Sequence, residues 1–284
     1  MPELPEIRAH AARLTDSFAG ASLSGFRPLS FTALKTVTPR PDESFGEPLT
    51  DVSSRGKFLL VRFPTVTFVV HLMQGGRLVA DAKQSAKPRN GLARWTFENH
   101  DALLLTEAGR EHKAGVWVVS TTPGPDDIGR VEHLATLGPD ADSVTLEELT
   151  TIAAAAGGSR LHGVLRNQRL LAGMGRRLAN EICWTARLSP FSATNRLDAT
   201  QLEALHAAIN ACVAESFADE LTRDHMARSA ERVAHVHHRA GEACDRCGDV
   251  IREVEYRSYV VDYCATCQTG GKVLADNTTS KFLK

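Results

Sequence analysis

The sequence predicts an α+β multidomain protein: an N-terminal helix, an antiparallel β domain, a helical domain and a small cysteine-bound segment at the end. Three observations carry this. Between Asp51 and Val119 the apolar residues come in short β-branched or aromatic runs, punctuated by Gly, Pro and Asn. From Thr145 they recur at helical spacing. Four of the six cysteines then stand as two C-x2-C pairs near the end. A chain of 284 residues has room for two domains, or for one large domain with an appendage.

Glu6 to Phe18 reads as one helix, with Ile, Ala and Leu at helical spacing. The stretch that opens the chain, MPELPEI, admits two readings. Pro2 and Pro5 can start a helix, because the first N–H groups there have no partner. Glu3 and Glu6 would then favour the positive end of the helix dipole. Alternatively the terminus is itself a reagent, since trimming Met1 would leave Pro2 as a free secondary amine. These residues alone do not decide between the two.

FLLVRF, TFVVHLM, RLVA, LARWTFE, ALLLTE and GVWVVS are the strands of the β domain, which with the first helix spans 1–120. TTPGPDDIG (121–129) is dense in Pro, Gly and Asp and reads as a linker, extended here over 121–144. The helical domain, 145–236, contains TLEELTTIAAAA, LHGVLRNQRLLAG, RRLANEICWTARL and DATQLEALHAAINACVAESF. Thr145 with Glu148 fits a capping box, and Asp198 fits an N-cap. Residues 237–284 carry the paired cysteines.

Composition is that of a soluble globular protein, 43% apolar and 24% charged, with no apolar run of membrane-spanning length and no signal-peptide pattern. The expectation is a cytoplasmic protein, nucleoid-associated if its partner is DNA. A net charge of −1 argues against a uniformly basic coat, yet the charge is unevenly spread. Between Arg160 and Arg196 there are seven arginines against one acid, Glu181, so this stretch is +6. Such an island is either a phosphate-facing surface or a solvated helix face.

Cys244, Cys247, Cys264 and Cys267 form C-x2-C-x16-C-x2-C. Two such knuckles can close a tetrahedral thiolate site on one zinc ion, with a β-hairpin between them. Four sulfurs leave no open position, so the metal would hold structure and do no chemistry. A generic zinc ribbon used in protein contacts fits the same spacing, and disulfides fit a chain without secretory features less well. Cys183 and Cys212 lie in apolar helical stretches and read as core.

PELPE, SSRGKFLL (53–60), HLMQGGRL (71–78), LRNQRLLAGMGRRLANEICWTARLSP (165–190), HHRAGEACDRCG and YCATCQTGGK follow one another in a single chain. Together they resemble the formamidopyrimidine-DNA glycosylase / endonuclease VIII family of bifunctional base-excision repair enzymes, essentially end to end, with a start like that of the formamidopyrimidine branch. The resemblance implies a two-layer β-sandwich, a helix–two-turn–helix element and a zinc β-hairpin finger. It implies a monomer acting on double-stranded DNA that contains oxidised bases or abasic sites. Pro2 would attack C1′ of the damaged nucleotide and form a Schiff base that drives β- and δ-elimination. Glu3 would be the general acid–base group, Glu6 a supporting carboxylate and Lys57 the DNA-contacting lysine of the catalytic set.

The same resemblance exposes departures. Arg176 stands where the family usually has a phosphate-gripping asparagine. Tyr259 stands where it keeps a finger-tip arginine, which leaves Arg257 as the candidate. Register from His71 puts Gln74 where a methionine fills the gap left by the extruded base, and EAGREHKAG (107–115) has no phenylalanine, only His112 and Lys113. His71, Gln74, Lys113, Arg176 and Arg257 are thus the expected DNA contacts. A competing reading keeps the fold and loses efficient base removal, giving a protein that binds damaged or abasic DNA. A zinc-ribbon module on an unrelated enzyme would leave PELPE, Lys57 and the arginine island unexplained.

Overall fold

The computed structural model describes residues 1–109, 112–121, 131–256 and 259–274. Arg257 and residues 122–130 of the Pro/Gly-rich segment lie outside the described residues. The chain divides into two compact units, Met1–Leu137 with Arg223–Ser229, and Gly138–Thr222 with Ala230–Lys284. The helical and cysteine-bearing segments fall in the same unit.

In the first unit, α1 (Leu4–Phe18) precedes β1 (Leu23–Pro28), β2 (Asp51–Arg55), β3 (Phe58–Arg62) and β4 (Val66–His71). β5 (Gly76–Asp81), β6 (Gly91–Phe97), β7 (His100–Glu107) and β8 (Gly115–Ser120) follow. They form two antiparallel sheets, β1-β6-β7-β5 and β2-β3-β4-β8. Strand alternation sends Leu59, Val61, Phe68 and Val70 of one sheet, and Leu78, Trp95, Leu103 and Leu105 of the other, into a shared core. Ile7, Ala11, Leu14 and Phe18, one stripe of α1, complete it. Phe58, Leu60, Val69 and Val119 point the opposite way and pack under Val131 and Leu134 at α2 (Glu132–Ala135). Both faces of β3 and β4 are therefore buried, which is why they read as continuous apolar runs.

Two local outcomes differ from the sequence pattern. α1 starts at Leu4 rather than Glu6, because Pro5 falls in the first turn where its missing N–H costs nothing. β1 is a strand that the pattern does not predict. LSGFRP has no β-branched residue, and Gly25 sits at a bulge against β6 where a Cβ would come within 2.8 Å of Thr96 Oγ1.

The second unit contains α3 (Leu146–Ala155), α4 (Leu161–Leu165), α5 (Arg176–Thr185), α6 (Ala199–Leu221), β9 (Ile251–Tyr256), β10 (Tyr259–Cys264) and α7 (Ala265–Thr269). The predicted caps are present. Thr145 Oγ1 accepts from Glu148 N at 3.2 Å while Glu148 Oε2 accepts from Thr145 N at 2.8 Å. Asp198 Oδ1 accepts from Gln201 N at 2.8 Å. LHGVLRNQRLLAG, read as one helix, is only the short α4 followed by a compact turn. Asn167 Oδ1 takes the N–H of Arg169 at 3.1 Å, so a side chain replaces the helical ladder there.

Candidate active site and nucleic-acid interface

Met1 is exposed and Pro2 behind it is buried. Glu3 is the N-cap of α1, and Glu6 Oε2 accepts its backbone N–H at 2.6 Å. Both carboxylates are buried, at 4% and 1% exposure, so this end of the helix places two acids directly behind Pro2 inside protein. Thr15 Oγ1 bridges the backbone of Val52, accepting from its N at 2.8 Å and donating to its O at 3.0 Å. α1 packs along β2. Thr15 thus fixes the second half of the helix to the start of that strand.

Arg55 pairs with Phe58, so Gly56 and Lys57 are a two-residue hairpin loop. Gly56 has φ +55°, the value such a loop asks of its first residue. Lys57 is half-buried. Phe58 also pairs with His71, which brings the imidazole beside this loop, its ring 4.5 Å from that of Phe58. Burial, then the charges of Lys57 and His133, lower the His71 pKa to about 4. His71 is neutral at pH 7 and its Nδ1 accepts from Met73 N at 3.3 Å.

The loop from β4 to β5 separates Met73 from Gln74. Met73, at φ +51°, folds back against the core beside His71, and Gln74 is exposed. On the neighbouring loop Lys113 is exposed, and Glu107 Oε2 accepts from Ala114 N at 2.7 Å to fix the entry into β8.

In the second unit the arginine island is not one surface. Arg160, Arg169, Arg176, Arg187 and Arg196 are exposed. Arg177 is buried and donates to Ser216 Oγ at 3.2 Å. Arg176 is the first residue of α5, preceded by Gly175 as N-cap, so it stands at the positive end of that helix. Arg166 lies 4.2 Å from the ring centre of Tyr259, which stacks on Tyr256 at 4.8 Å and on His162 at 6.1 Å. Arg160 Nη1 donates to the Tyr256 hydroxyl at 2.8 Å. The end of the β9–β10 hairpin therefore carries two arginines on an aromatic stack.

The cysteine sulfurs converge. Those of Cys244 and Cys267 are 4.0 Å apart, those of Cys247 and Cys264 3.4 Å, and the four lie within 4.8 Å of one another. Thiolates about 2.3 Å from a tetrahedral ion sit roughly 3.8 Å apart, so the set fits one metal ion. Burial opposes ionisation of Cys244, but hydrogen bonds from the Trp184 indole and from the backbone of Arg246 and Cys247 outweigh it and hold the thiol at about 6. Cys183 and Cys212 are buried free thiols whose pKa burial pushes up, Cys212 to about 11. They are inert core residues.

Two organising residues are not legible in the sequence. Gln168 Nε2 donates to Arg166 O at 2.8 Å and Met174 O at 2.7 Å, and its Oε1 accepts from Gly173 N at 3.0 Å. It shapes the turn before α5. Glu181, which the sequence shows only as the lone acid of the island, is buried and accepts backbone N–H groups from His235 (2.8 Å), Val236 (3.1 Å) and His237 (2.9 Å). The available signal was its position, an acid on the apolar stretch of a helix.

A helix-capped β-sandwich in one unit, with a helix–turn–helix pair and a four-cysteine hairpin in the other, is the build of a DNA glycosylase. The family model of the formamidopyrimidine-DNA glycosylase N-terminal domain matches residues 1–111. An uncharacterised formamidopyrimidine-DNA glycosylase-like protein of Mycobacterium tuberculosis is 36% identical over 150 residues, which is 52% of this chain and 94% of that protein. The formamidopyrimidine-DNA glycosylase of Chloroflexus aurantiacus is 27% identical, covering 94% of this chain and 98% of its own. Among solved structures, the complex between the Lactococcus lactis FPG (MutM) and a Fapy-dG containing DNA has the same fold, with a TM-score of 0.80 at 19% identity, covering 94% of this chain and 100% of that one. The chain belongs to the formamidopyrimidine-DNA glycosylase family.

Proposed function

We propose that the protein is a bifunctional DNA glycosylase and abasic-site lyase of base-excision repair, working through the amine of Pro2 on duplex DNA that carries an oxidised base. The observation that carries this reading is the pair of buried acids behind the proline, Glu3 and Glu6, the second of which accepts the Glu3 backbone N–H at 2.6 Å. A helix needs only one such acid for a cap, and the second gives the terminus proton-transfer chemistry.

With Met1 removed, the Pro2 lone pair attacks C1′ and the bond from C1′ to the base breaks, the N–H proton of Pro2 leaving with the base. Protonated Glu3 gives its proton to the ring oxygen as the sugar opens, and the nitrogen becomes a cationic iminium. The Glu3 carboxylate then takes a C2′ proton as the 3′ phosphate is expelled, and a second elimination expels the 5′ phosphate. Lys57, in a hairpin loop, offers an ammonium to a backbone phosphate, while neutral His71 offers at most a ring N–H. Gln74 and Lys113 are exposed toward solvent for contact with the duplex. Arg176 adds its charge to the amides at the start of α5. Arg160 and Arg166 on the tyrosine stack take the part of a finger-tip arginine, and the four cysteines hold a structural zinc ion.

Borohydride trapping tests the reading, using Met1-trimmed protein on duplexes with an abasic site, 8-oxoguanine, formamidopyrimidine or 5-hydroxyuracil. A covalent adduct on at least one base lesion is expected. Pro2→Gly should lower its yield at least about tenfold, because a primary amine forms a neutral imine rather than an obligate cation. Glu3→Gln should block base release. Failure to trap any lesion, despite tight binding, would leave the second reading, a protein that binds damage without removing it. The exposed Gln74 favours that outcome, since a polar wedge offsets less of the few kcal/mol needed to extrude a base.

Arg176→Ala should weaken duplex binding about equally across sequences and lower the salt slope by roughly 0.9, one phosphate contact. Affinity titrations over a salt series read this directly. An unchanged slope would remove Arg176 from the interface.

A further inference from the structure

Among the described residues, Asp262 Oδ1 is a buried polar atom of the second unit with no hydrogen-bond partner. Asp262 lies among polar side chains: Asn180 Nδ2 donates to its Oδ2 at 2.9 Å, and His162 in turn is hydrogen-bonded to Asn180. An unpartnered carboxylate oxygen is rare inside proteins and asks for an explanation.

The hydrogen bonding around His237 is also in conflict. Its Nδ1 is 3.0 Å from Asn180 Nδ2, a donor, and 3.2 Å from Asp262 Oδ2, an acceptor. One ring nitrogen can satisfy only one of them. If it carries a proton it opposes Asn180; if it presents its lone pair it opposes the carboxylate. His238 adds a second imidazole, its ring 4.0 Å from that of His237, and its backbone N–H donates to Asp262 Oδ2 at 3.0 Å.

A cation between these groups removes the conflict, because it takes lone pairs from nitrogen and oxygen at once. One ligand atom each from His237, His238 and Asp262 lies within 4.8 Å of the others. Ligand atoms about 2.1 Å from an ion and roughly 100° apart are separated by about 3.2 Å, the spacing found between Nδ1 and Oδ2.

We propose that His237, His238 and Asp262 form a second metal site, separate from the four cysteines, that takes a divalent first-row transition ion of the zinc type. Two imidazoles and one carboxylate suit that class. Asp262 lies on β10, His237 and His238 precede the first cysteine pair, and Asn180 is on α5. The ion joins the root of the finger to the helix beneath it, and hydrogen bonds from Asn180 and from His238 N orient the carboxylate.

The test is metal content of the full chain after saturation with Zn2+ and passage over a weak chelating resin. A second ion per chain is expected, beyond the one held by the cysteines. His238→Ala and Asp262→Asn should each lose that ion. In the cobalt-substituted protein both variants should keep the intense thiolate-to-cobalt absorption of the cysteine site. A single ion in the unaltered protein, or a second ion retained in both variants, overturns the proposal. Should Asp262→Asn lose both ions through misfolding, the exposed His238 decides: its alanine variant must lose one ion and keep the other.

Discussion

Removing metal from the four cysteines is expected to unfold the segment that carries β9, β10 and α7. Cys247→Ser should do the same. The apolar cluster at its base consists of Trp184, Val236, Ile251 and three of the cysteines themselves. A core built from its own ligands cannot outlast their release, because the sulfurs are then held together by nothing that offsets the entropy of the freed loop. Structural zinc sites of this kind contribute on the order of 10 kcal/mol to folding. The consequence should reach α5, since Trp184 donates to Cys244 Sγ at 3.3 Å and is sandwiched by Arg246 at 3.8 Å and His235 at 4.4 Å. Limited proteolysis before and after chelation would read the result. A hairpin that stays protected without metal would show that its packing suffices.

Glu181→Ala is expected to cost about 3–5 kcal/mol, since a hydrogen bond to a charged group contributes about 1.5–3 kcal/mol and three are lost with their buried donors left unsatisfied. The carboxylate is 4% exposed and serves three consecutive backbone N–H groups. Val236, one of those it holds, is fully buried, so water cannot easily replace the lost acceptor. For a chain of this length a loss of that size lowers the melting temperature by roughly 10 °C or more. Glu181→Gln should recover part of it, since one oxygen still accepts. A thermal melt that barely moves in the alanine variant would mean that the loop from His235 to His237 is held by other contacts.

Glu181 also marks where sequence reading stops. Periodicity finds β3, β4 and β7 because burial on one or both faces writes itself into apolar spacing. It finds the starts of α3 and α6 because caps are local chemistry, three residues wide. It misses β1, whose place depends on a bulge at Gly25 and on pairing with Phe97 and Trp95 far along the chain. It overextends the helix at Leu161 because the competitors are side chains, Asn167 on Arg169 N and Gln168 on backbone targets that only the folded turn brings within reach.

The candidate site divides the same way. Four cysteines at fixed spacing are legible, and their sulfurs do converge. Glu3 and Glu6 are legible as acids near a proline, while their burial is not. The +6 island is legible only as a sum. The fold then separates it into a buried Arg177, a helix-starting Arg176 and an Arg166 laid on Tyr259. Net charge does not record which arginine is spent on packing.

The aromatic stack on the hairpin has a practical side. All three tyrosines of the chain, Tyr256, Tyr259 and Tyr263, stand on β9 and β10. Of the three tryptophans, Trp95 and Trp117 lie in the sandwich and Trp184 touches the cysteine site. The chromophores are sorted by region without any engineering. Any change in phenol absorption originates in the finger, and Trp184→Phe leaves an indole emission that belongs wholly to the β-sandwich. In the Trp184→Phe variant, unlabelled, indole emission therefore follows the sandwich while the tyrosines follow the finger.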